Sequence, residues 1–231
     1  MRAIGLIGGM SWVSTEHYYR SINLDVATRL GGDHCARLVL WQHDFAEITA
    51  LQRAGDWDRA GAVLADGGRA LVAAGAEVIG IAANTMHLVA EPIRAAVEPA
   101  RLVHVVEVVR DECVARGITR LGLFGTAYTM ESPELYPPTL AAAGVEVIVP
   151  DADDRAEIQR ITFEELIRDE VTDAARVTFH TVASRLLDKG ADAVVLACTE
   201  HGMLLTDGDL GSAAVLDSTV LHARALVDAA L

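Results

Sequence analysis

One cysteine sits where a sequence can place reactive chemistry. Cys198 follows the apolar run Ala193 to Ala197 and precedes Thr199 and Glu200. A short apolar run ending in Cys-Thr-Glu reads as a buried strand that delivers a thiol to a polar turn. Ahead of a helix N-terminus, such a thiol would have its pKa lowered and could act as a base on a carbon acid. The alternative is a buried, inert cysteine. The polar Thr-Glu that follows, in place of apolar residues, favours the reactive reading. Cys113 lies in the helical pattern Val105 to Ala115 and reads as packing, as does Cys35. Three cysteines with no Cys-x-x-Cys pair argue against a disulfide framework or a zinc cage. Reduced thiols in a cytoplasm are the natural expectation.

Other groups could hold a small anion. Gly5-Leu6-Ile7-Gly8-Gly9-Met10-Ser11 is a glycine turn after a strand. It lacks the G-x-G-x-x-G spacing and a Walker lysine, so a dinucleotide or nucleoside triphosphate is not expected. Amides exposed in that loop could hold a carboxylate; the alternative is a plain tight turn. Asn84-Thr85, and Gly125-Thr126 with Thr129, offer short polar side chains that could bind substrate or cap helices. His87 and His201 flank these segments, but neither has a partner at metal-ligand spacing, and no metal is expected.

The elements that must position these residues alternate. Strand-like runs at Ala3–Ile7, Arg37–Trp41 and Glu77–Ile81 are separated by helical patterns at Ser14–Leu30, Trp57–Ala74 and Met86–Val97. Such alternation predicts parallel sheets covered by helices. An internal repeat sharpens this. Ile4-Gly5-Leu6-Ile7-Gly8 resembles Leu121-Gly122-Leu123-Phe124-Gly125, at an offset of 117 residues. Gly75-Ala76-Glu77-Val78-Ile79-Gly80-Ile81-Ala82-Ala83-Asn84-Thr85 resembles Gly190-Ala191-Asp192-Ala193-Val194-Val195-Leu196-Ala197-Cys198-Thr199-Glu200, at an offset of 115. Two matches in one order predict two α/β halves of like topology. We expect residues 1–100 with 211–231 to form the first and 101–210 the second. The repeat makes Ala83 and Cys198 equivalent, each just past a strand's C-terminal end, where α/β sheets bind ligands. If the halves face each other, the two positions lie on opposite sides of one cleft.

Composition narrows the partners. The 231 residues carry a net charge of −14, which disfavours nucleic acid. No apolar run approaches the ~20 residues that span a bilayer, and Met1 to Met10 reads as a first strand, not a signal peptide. A small-molecule ligand is the expected partner.

Taken in order, Gly8-Gly9-Met10-Ser11-Trp12, Asp44-Phe45, Gln52-Arg53, Asn84-Thr85-Met86-His87, Gly125-Thr126 with Tyr128-Thr129-Met130, Cys198-Thr199-Glu200 and Asp217 with His222 resemble the aspartate/glutamate racemases that work without pyridoxal phosphate. The resemblance spans nearly the whole chain. It implies two pseudo-symmetric α/β domains with the active site between them, a homodimer, and no cofactor. It implies an isomerase whose two acid/base groups act on opposite faces of the Cα of an acidic amino acid, with Cys198 as one of them. Met10, Gln52, Asn84, Thr85, Thr129 and Thr199 would hold the carboxylates and amino group, with Ser11, Thr126 and Glu200 beside them. Three positions depart from the pattern. The second acid/base position is Ala83, whose methyl group carries no proton. Val13 stands where relatives often have glutamate, and Ala127 where they often have arginine. The departure at 83 leaves two alternatives: a single-cysteine decarboxylase acting on a small dicarboxylate, or a non-catalytic small-anion binder.

Overall fold

The computed structural model describes residues 1–231 as two compact units: Met1–His104 with His222–Leu231, and Val105–Leu221. In the first unit the chain runs through β1 (Ile4–Gly8), α1 (Trp12–Leu30), β2 (Leu38–Gln42), α2 (Phe45–Ala54), α3 (Trp57–Ala73), β3 (Val78–Ile81), α4 (Ala90–Val97) and β4 (Arg101–Leu102). The second unit holds α5 (Val105–Arg116), β5 (Arg120–Gly125), α6 (Ala127–Met130), α7 (Pro137–Ala141), β6 (Glu146–Ile148), α8 (Ala152–Glu164), α9 (Asp173–Asp188), β7 (Ala193–Ala197) and β8 (Ala214–Asp217). A last helix, α10 (Ser218–Ala230), begins in the second unit and ends in the first.

Each unit has one four-stranded parallel sheet flanked by helices, ordered β2-β1-β3-β4 in the first and β6-β5-β7-β8 in the second. The two orders are the same, strand for strand. The register matches too: Ile4 pairs with Val78, and its repeat counterpart Leu121 pairs with Ala193, the counterpart of Val78. The internal repeat is therefore two copies of one folding pattern. β1, β3 and β7 are buried along their whole length, as strands covered on both faces must be. That is why they read as unbroken apolar runs and not as alternating ones.

Helix starts are marked by short polar side chains. Ser11, Asp44 and Asp56 cap α1, α2 and α3, and Thr126 and Thr172 cap α6 and α9, each accepting from a first-turn amide. The strand starts are marked by glycine. Gly75 and Gly190, equivalent in the repeat, both turn the chain into the following central strand at φ 92°. An L side chain is strained there, so both copies of the pattern keep glycine.

The chain returns to the first unit later than residue 211, the boundary expected from sequence. The reason is β8, which pairs with β7 and ties 214–217 to the second sheet. From His222 onward the chain belongs to the first unit. There Leu226 covers the bare Cα of Gly80 on β3, and the Ala230 carbonyl accepts from the Arg2 amide at 2.7 Å. No helix is long and apolar enough to cross a membrane.

An alanine at position 75 would meet no atom within 4 Å, so Gly75→Ala isolates the backbone cost from any clash. We expect it to lower the unfolding free energy by ~1–2 kcal/mol in urea titrations. An unchanged midpoint would contradict the left-handed turn.

Candidate active site

In the first unit the polar groups gather past the ends of β1 and β3. β3 ends at Ile81, and Ala82-Ala83-Asn84 lead into a 3₁₀ turn, Thr85–Val89. Ala83, Asn84, Thr85 and His87 are all buried. Buried carbonyls need partners, and here side chains supply them. The Ser14 hydroxyl donates to the Ala82 carbonyl at 2.9 Å, and His87 Nδ1 donates to the Ala83 carbonyl at 2.8 Å. Gln52, on α2, reaches the same turn, and its Nε2 donates to the Met86 Sδ at 3.1 Å. A thioether is a weak acceptor, so an oxygen-bearing ligand would compete well for that amide. Met10, Ala83 and Met86 belong to one buried apolar cluster.

The Gly8–Ser11 loop differs from its expectation as an open amide cradle. The Gly9 amide is taken by the Thr15 hydroxyl at 2.8 Å, which itself donates to the Ser11 carbonyl at 2.9 Å. Ser11 Oγ caps α1 by accepting from the Ser14 amide at 3.3 Å. Gly9 has φ 85°, and a Cβ there would collide with the His43 backbone. Ser14 and Thr15, which tie this loop to α1 and β3, carried no motif; their only sequence signal was a hydroxyl pair in the first turn after Ser11. Beside the loop, a surface pocket of about 450 Å³ is lined by Gly9, Trp12, Gln42, His43, Asp44 and Phe45. Met10, Ser11, Gln52, Asn84 and Thr85 are not among its lining residues.

In the second unit, Cys198, Thr199 and Glu200 form the turn after β7 and are all buried. The Cys198 thiol donates to Glu200 Oε2 at 3.2 Å, and the Thr199 hydroxyl donates to the same oxygen at 2.6 Å. Past β5, Thr126 and Thr129 are also buried, with their hydroxyls 3.2 Å apart. Thr126 accepts from the Thr129 amide, so it does serve as a cap. Ala127 leaves its amide to the Gln159 side chain at 2.8 Å.

The Cys198 thiol is not the low-pKa group expected from sequence. Only a three-residue 3₁₀ turn, His201–Met203, follows it, too short to supply a helix dipole. Burial raises the thiol's pKa well above its ordinary value, and the nearby Glu200 charge and the S–H···O bond push it the same way. The Thr199 and Glu200 amides act in the opposite direction, but more weakly. At rest Cys198 is thus a neutral acid with a carboxylate as its hydrogen-bond acceptor. Cys113 is buried in α5, with its thiol pushed up to about 11, while Cys35 is exposed; all three cysteines are free.

His201 is not a spare proton carrier. Its ring packs edge-on against Phe124 and Phe179, with centroids 5.4 and 4.9 Å away. Nε2 lies 2.9 Å from the Thr162 hydroxyl, which in turn donates to the Ile158 carbonyl at 2.7 Å, and burial lowers the imidazole to about 3. His201 fastens the turn after Cys198 to α8. His87 and His222 are also buried and neutral, His87 well below its ordinary value and His222 at about 4, burial being the main cause in both.

Two parallel α/β units of identical strand order, each ending its central strands in a buried polar turn, define the two-domain α/β racemase fold. The sequence profile of the Asp/Glu/Hydantoin racemases matches residues 7–226, and the chain belongs to that family. A Yersinia pestis protein provisionally named an Asp/Glu racemase is 41% identical over 100% of this chain and 99% of its own, with a TM-score of 0.89. An aspartate racemase homologue from Pyrococcus horikoshii OT3 is 31% identical, covers 100% of this chain and 99% of its own, and has a TM-score of 0.83. The aspartate racemase of Picrophilus torridus, 23% identical with a TM-score of 0.82, covers 100% of this chain and 94% of its own and shares the fold.

Two outcomes follow from the electrostatics. In Glu200→Gln the like charge is gone, so the pH dependence of Cys198 alkylation should move to lower pH; an unmoved curve would remove Glu200 from the thiol's environment. Stability should fall in acid. The folded-state pKa values of His87, His201 and His222 lie below that of a free histidine, so the unfolded chain takes up protons first as pH drops below ~6.5. Each contributes a loss of roughly 1.4 kcal/mol per pH unit until its folded-state pKa is reached. Urea midpoints that are equal at pH 7 and pH 5 would refute this.

Proposed function

We infer that this protein is a cofactor-independent isomerase acting at the Cα of an acidic amino acid, aspartate or glutamate, with Cys198 as its acid/base group. The observation that carries the reading is the Cys198–Glu200 pair: a buried thiol at the C-terminal end of a central strand, with a carboxylate positioned to accept its proton. In the forward step the thiol proton passes to Glu200, and the thiolate takes the hydrogen from Cα. The electron pair of the broken C–H bond is left on carbon and delocalised into the substrate carboxylate. Returning that proton from Cys198 regenerates the starting enantiomer; inversion requires a proton from the other face.

Position 83 is where the family pattern implies the second carrier, and alanine cannot be one. Racemisation by this chain should be slow, and exchange of Cα hydrogen with solvent should be confined to one enantiomer. Gln52, Asn84, Thr85, Thr126, Thr129 and Thr199 are the polar groups we assign to the substrate, donating to its carboxylates and accepting from its ammonium group. Met10 and Ser11 shape the loop beside them. We also propose that the protein works as a homodimer in the cytoplasm.

Ala83 also supports a second reading, a single-cysteine decarboxylase. A dicarboxylate would lose carbon dioxide, and Cys198 would protonate the resulting enolate.

The test is incubation with L- and D-aspartate and L- and D-glutamate in deuterated water, following Cα–H by NMR and handedness by chiral chromatography. We expect one-handed exchange with little inversion, and Ala83→Cys or Ala83→Thr to raise inversion by ~10²-fold or more. Rapid inversion by the unaltered chain would overturn the assignment of position 83. Carbon dioxide release from a substituted malonate, with no exchange of any amino acid, would favour the decarboxylase. A dicarboxylate bound without exchange or release would favour a non-catalytic binder.

A further inference from the structure

The first unit contains a buried histidine cluster that the reaction does not use. His87 lies with its ring centroid 4.6 Å from that of His104 and 5.6 Å from that of His222, both edge-on. These residues come from the turn after β3, the segment following β4, and α10. Tyr18 of α1 completes the group, with its ring 5.5 Å from His222. His87, His222 and Tyr18 are almost fully buried. His104 is the last residue before the chain leaves this unit, and His222 the first after it returns.

The hydrogen bonds fix the tautomers. A carbonyl can only accept, so the 3.0 Å contact between His222 Nε2 and the Val103 carbonyl places a proton on Nε2. His222 Nδ1 then accepts from the Tyr18 hydroxyl at 2.8 Å. By the same logic, the 2.8 Å contact from His87 Nδ1 to the Ala83 carbonyl places the His87 proton on Nδ1. The two rings are opposite tautomers, each set by the backbone it contacts. Burial and the two neighbouring imidazoles keep His87 neutral.

We propose that His87 is a positioning residue: its Nδ1–H pins the Ala83 carbonyl and so sets the turn that presents Asn84 and Thr85, while His104, His222 and Tyr18 hold the ring in place. β3 ends at Ile81, and its neighbour β4 is only two residues long, Arg101–Leu102. The carbonyls beyond Ile81 therefore lie past the ladder. Ser14 takes that of Ala82 and His87 that of Ala83, so two side chains continue what the sheet no longer supplies. The consequence for ligand binding rests on the assignment of Asn84 and Thr85 to the substrate; the clamp itself does not.

The test uses the full chain. Three substitutions separate the donor from the ring. His87→Asn places an amide N–H at the reach of Nδ1, His87→Gln places one at the reach of Nε2, and His87→Phe keeps the ring and removes the donor. We expect His87→Phe and His87→Gln to speed hydrogen exchange at the Asn84 and Thr85 amides and to weaken aspartate binding, measured calorimetrically, by roughly tenfold, the scale of one buried acceptor left unpaired. His87→Asn should restore both. Side-chain ¹⁵N spectra should show His87 protonated at Nδ1 and His222 at Nε2. The clamp is overturned if the tautomers are reversed, if exchange at 84 and 85 is unchanged in His87→Phe, or if His87→Asn behaves like His87→Phe. If the unaltered chain binds neither aspartate nor glutamate, the substrate reading fails, and the tautomers and exchange rates still decide the clamp.

Discussion

The parallel pairing of β1 with β3, repeated in β5 with β7, is the constraint on which both polar turns depend. Parallel strands point the same way, so their C-terminal ends lie side by side, and whatever follows them is gathered at one edge of the sheet. The shared register fixes how far each turn extends past its neighbour. Ile4 opposite Val78 carries the Gly8–Ser11 loop and the Ala82–Thr85 turn to adjacent positions; Leu121 opposite Ala193 does the same for Thr126 and Cys198. A one-residue slip in either pair would turn each side chain to the opposite face of its strand and misplace the turn as well.

Burial is what gives the Cys198 turn its character. Water would solvate a thiolate; a buried turn does not, and a carboxylate beside the sulfur opposes the charge further. The Thr199 and Glu200 amides only partly compensate. The resting state is therefore thiol and acceptor in contact, a different arrangement from a thiolate waiting at a helix N-terminus. The difference lies in the chain after Cys198. A three-residue 3₁₀ turn exposes too little aligned backbone to stabilise a thiolate, so burial first, and the Glu200 side chain after it, keep the proton on sulfur.

The architecture was legible in the sequence because its signals are local and doubled. Unbroken apolar runs marked strands buried on both faces, glycines marked the turns into them, and the repeat predicted that the second half would copy the first. The Cys198 turn was legible as a location, since a change from apolar residues to Cys-Thr-Glu marks where a buried strand leaves its sheet. Its protonation was not, because that depends on a Glu200 oxygen 3.2 Å from the sulfur and on the brevity of the following helix, neither of which spacing encodes. The boundary near residue 211 was misplaced for a similar reason: β8 is four residues long, and only its ladder with β7 assigns it to the second sheet. Gln52, Ser14 and Tyr18 serve the first unit through partners 34, 68 and 204 positions away, which no local pattern announces.

The chemical asymmetry of the chain lies inside this symmetric frame. Two copies of one strand order carry two turns at equivalent positions, yet the turns are finished differently. After β7 the turn is built around an ionisable pair, and its side chains point their polar atoms at one another. After β3 the turn has a methyl group at the equivalent position, and its backbone is held by Ser14 of α1 and by His87, four residues further along the same turn. A turn that must move a proton needs groups whose protonation can change. A turn that only holds a shape needs donors whose protonation stays fixed, and a neutral buried imidazole held by a carbonyl is such a donor. The chain thus places an ionisable pair in the second unit's turn and donors of fixed protonation against the first unit's.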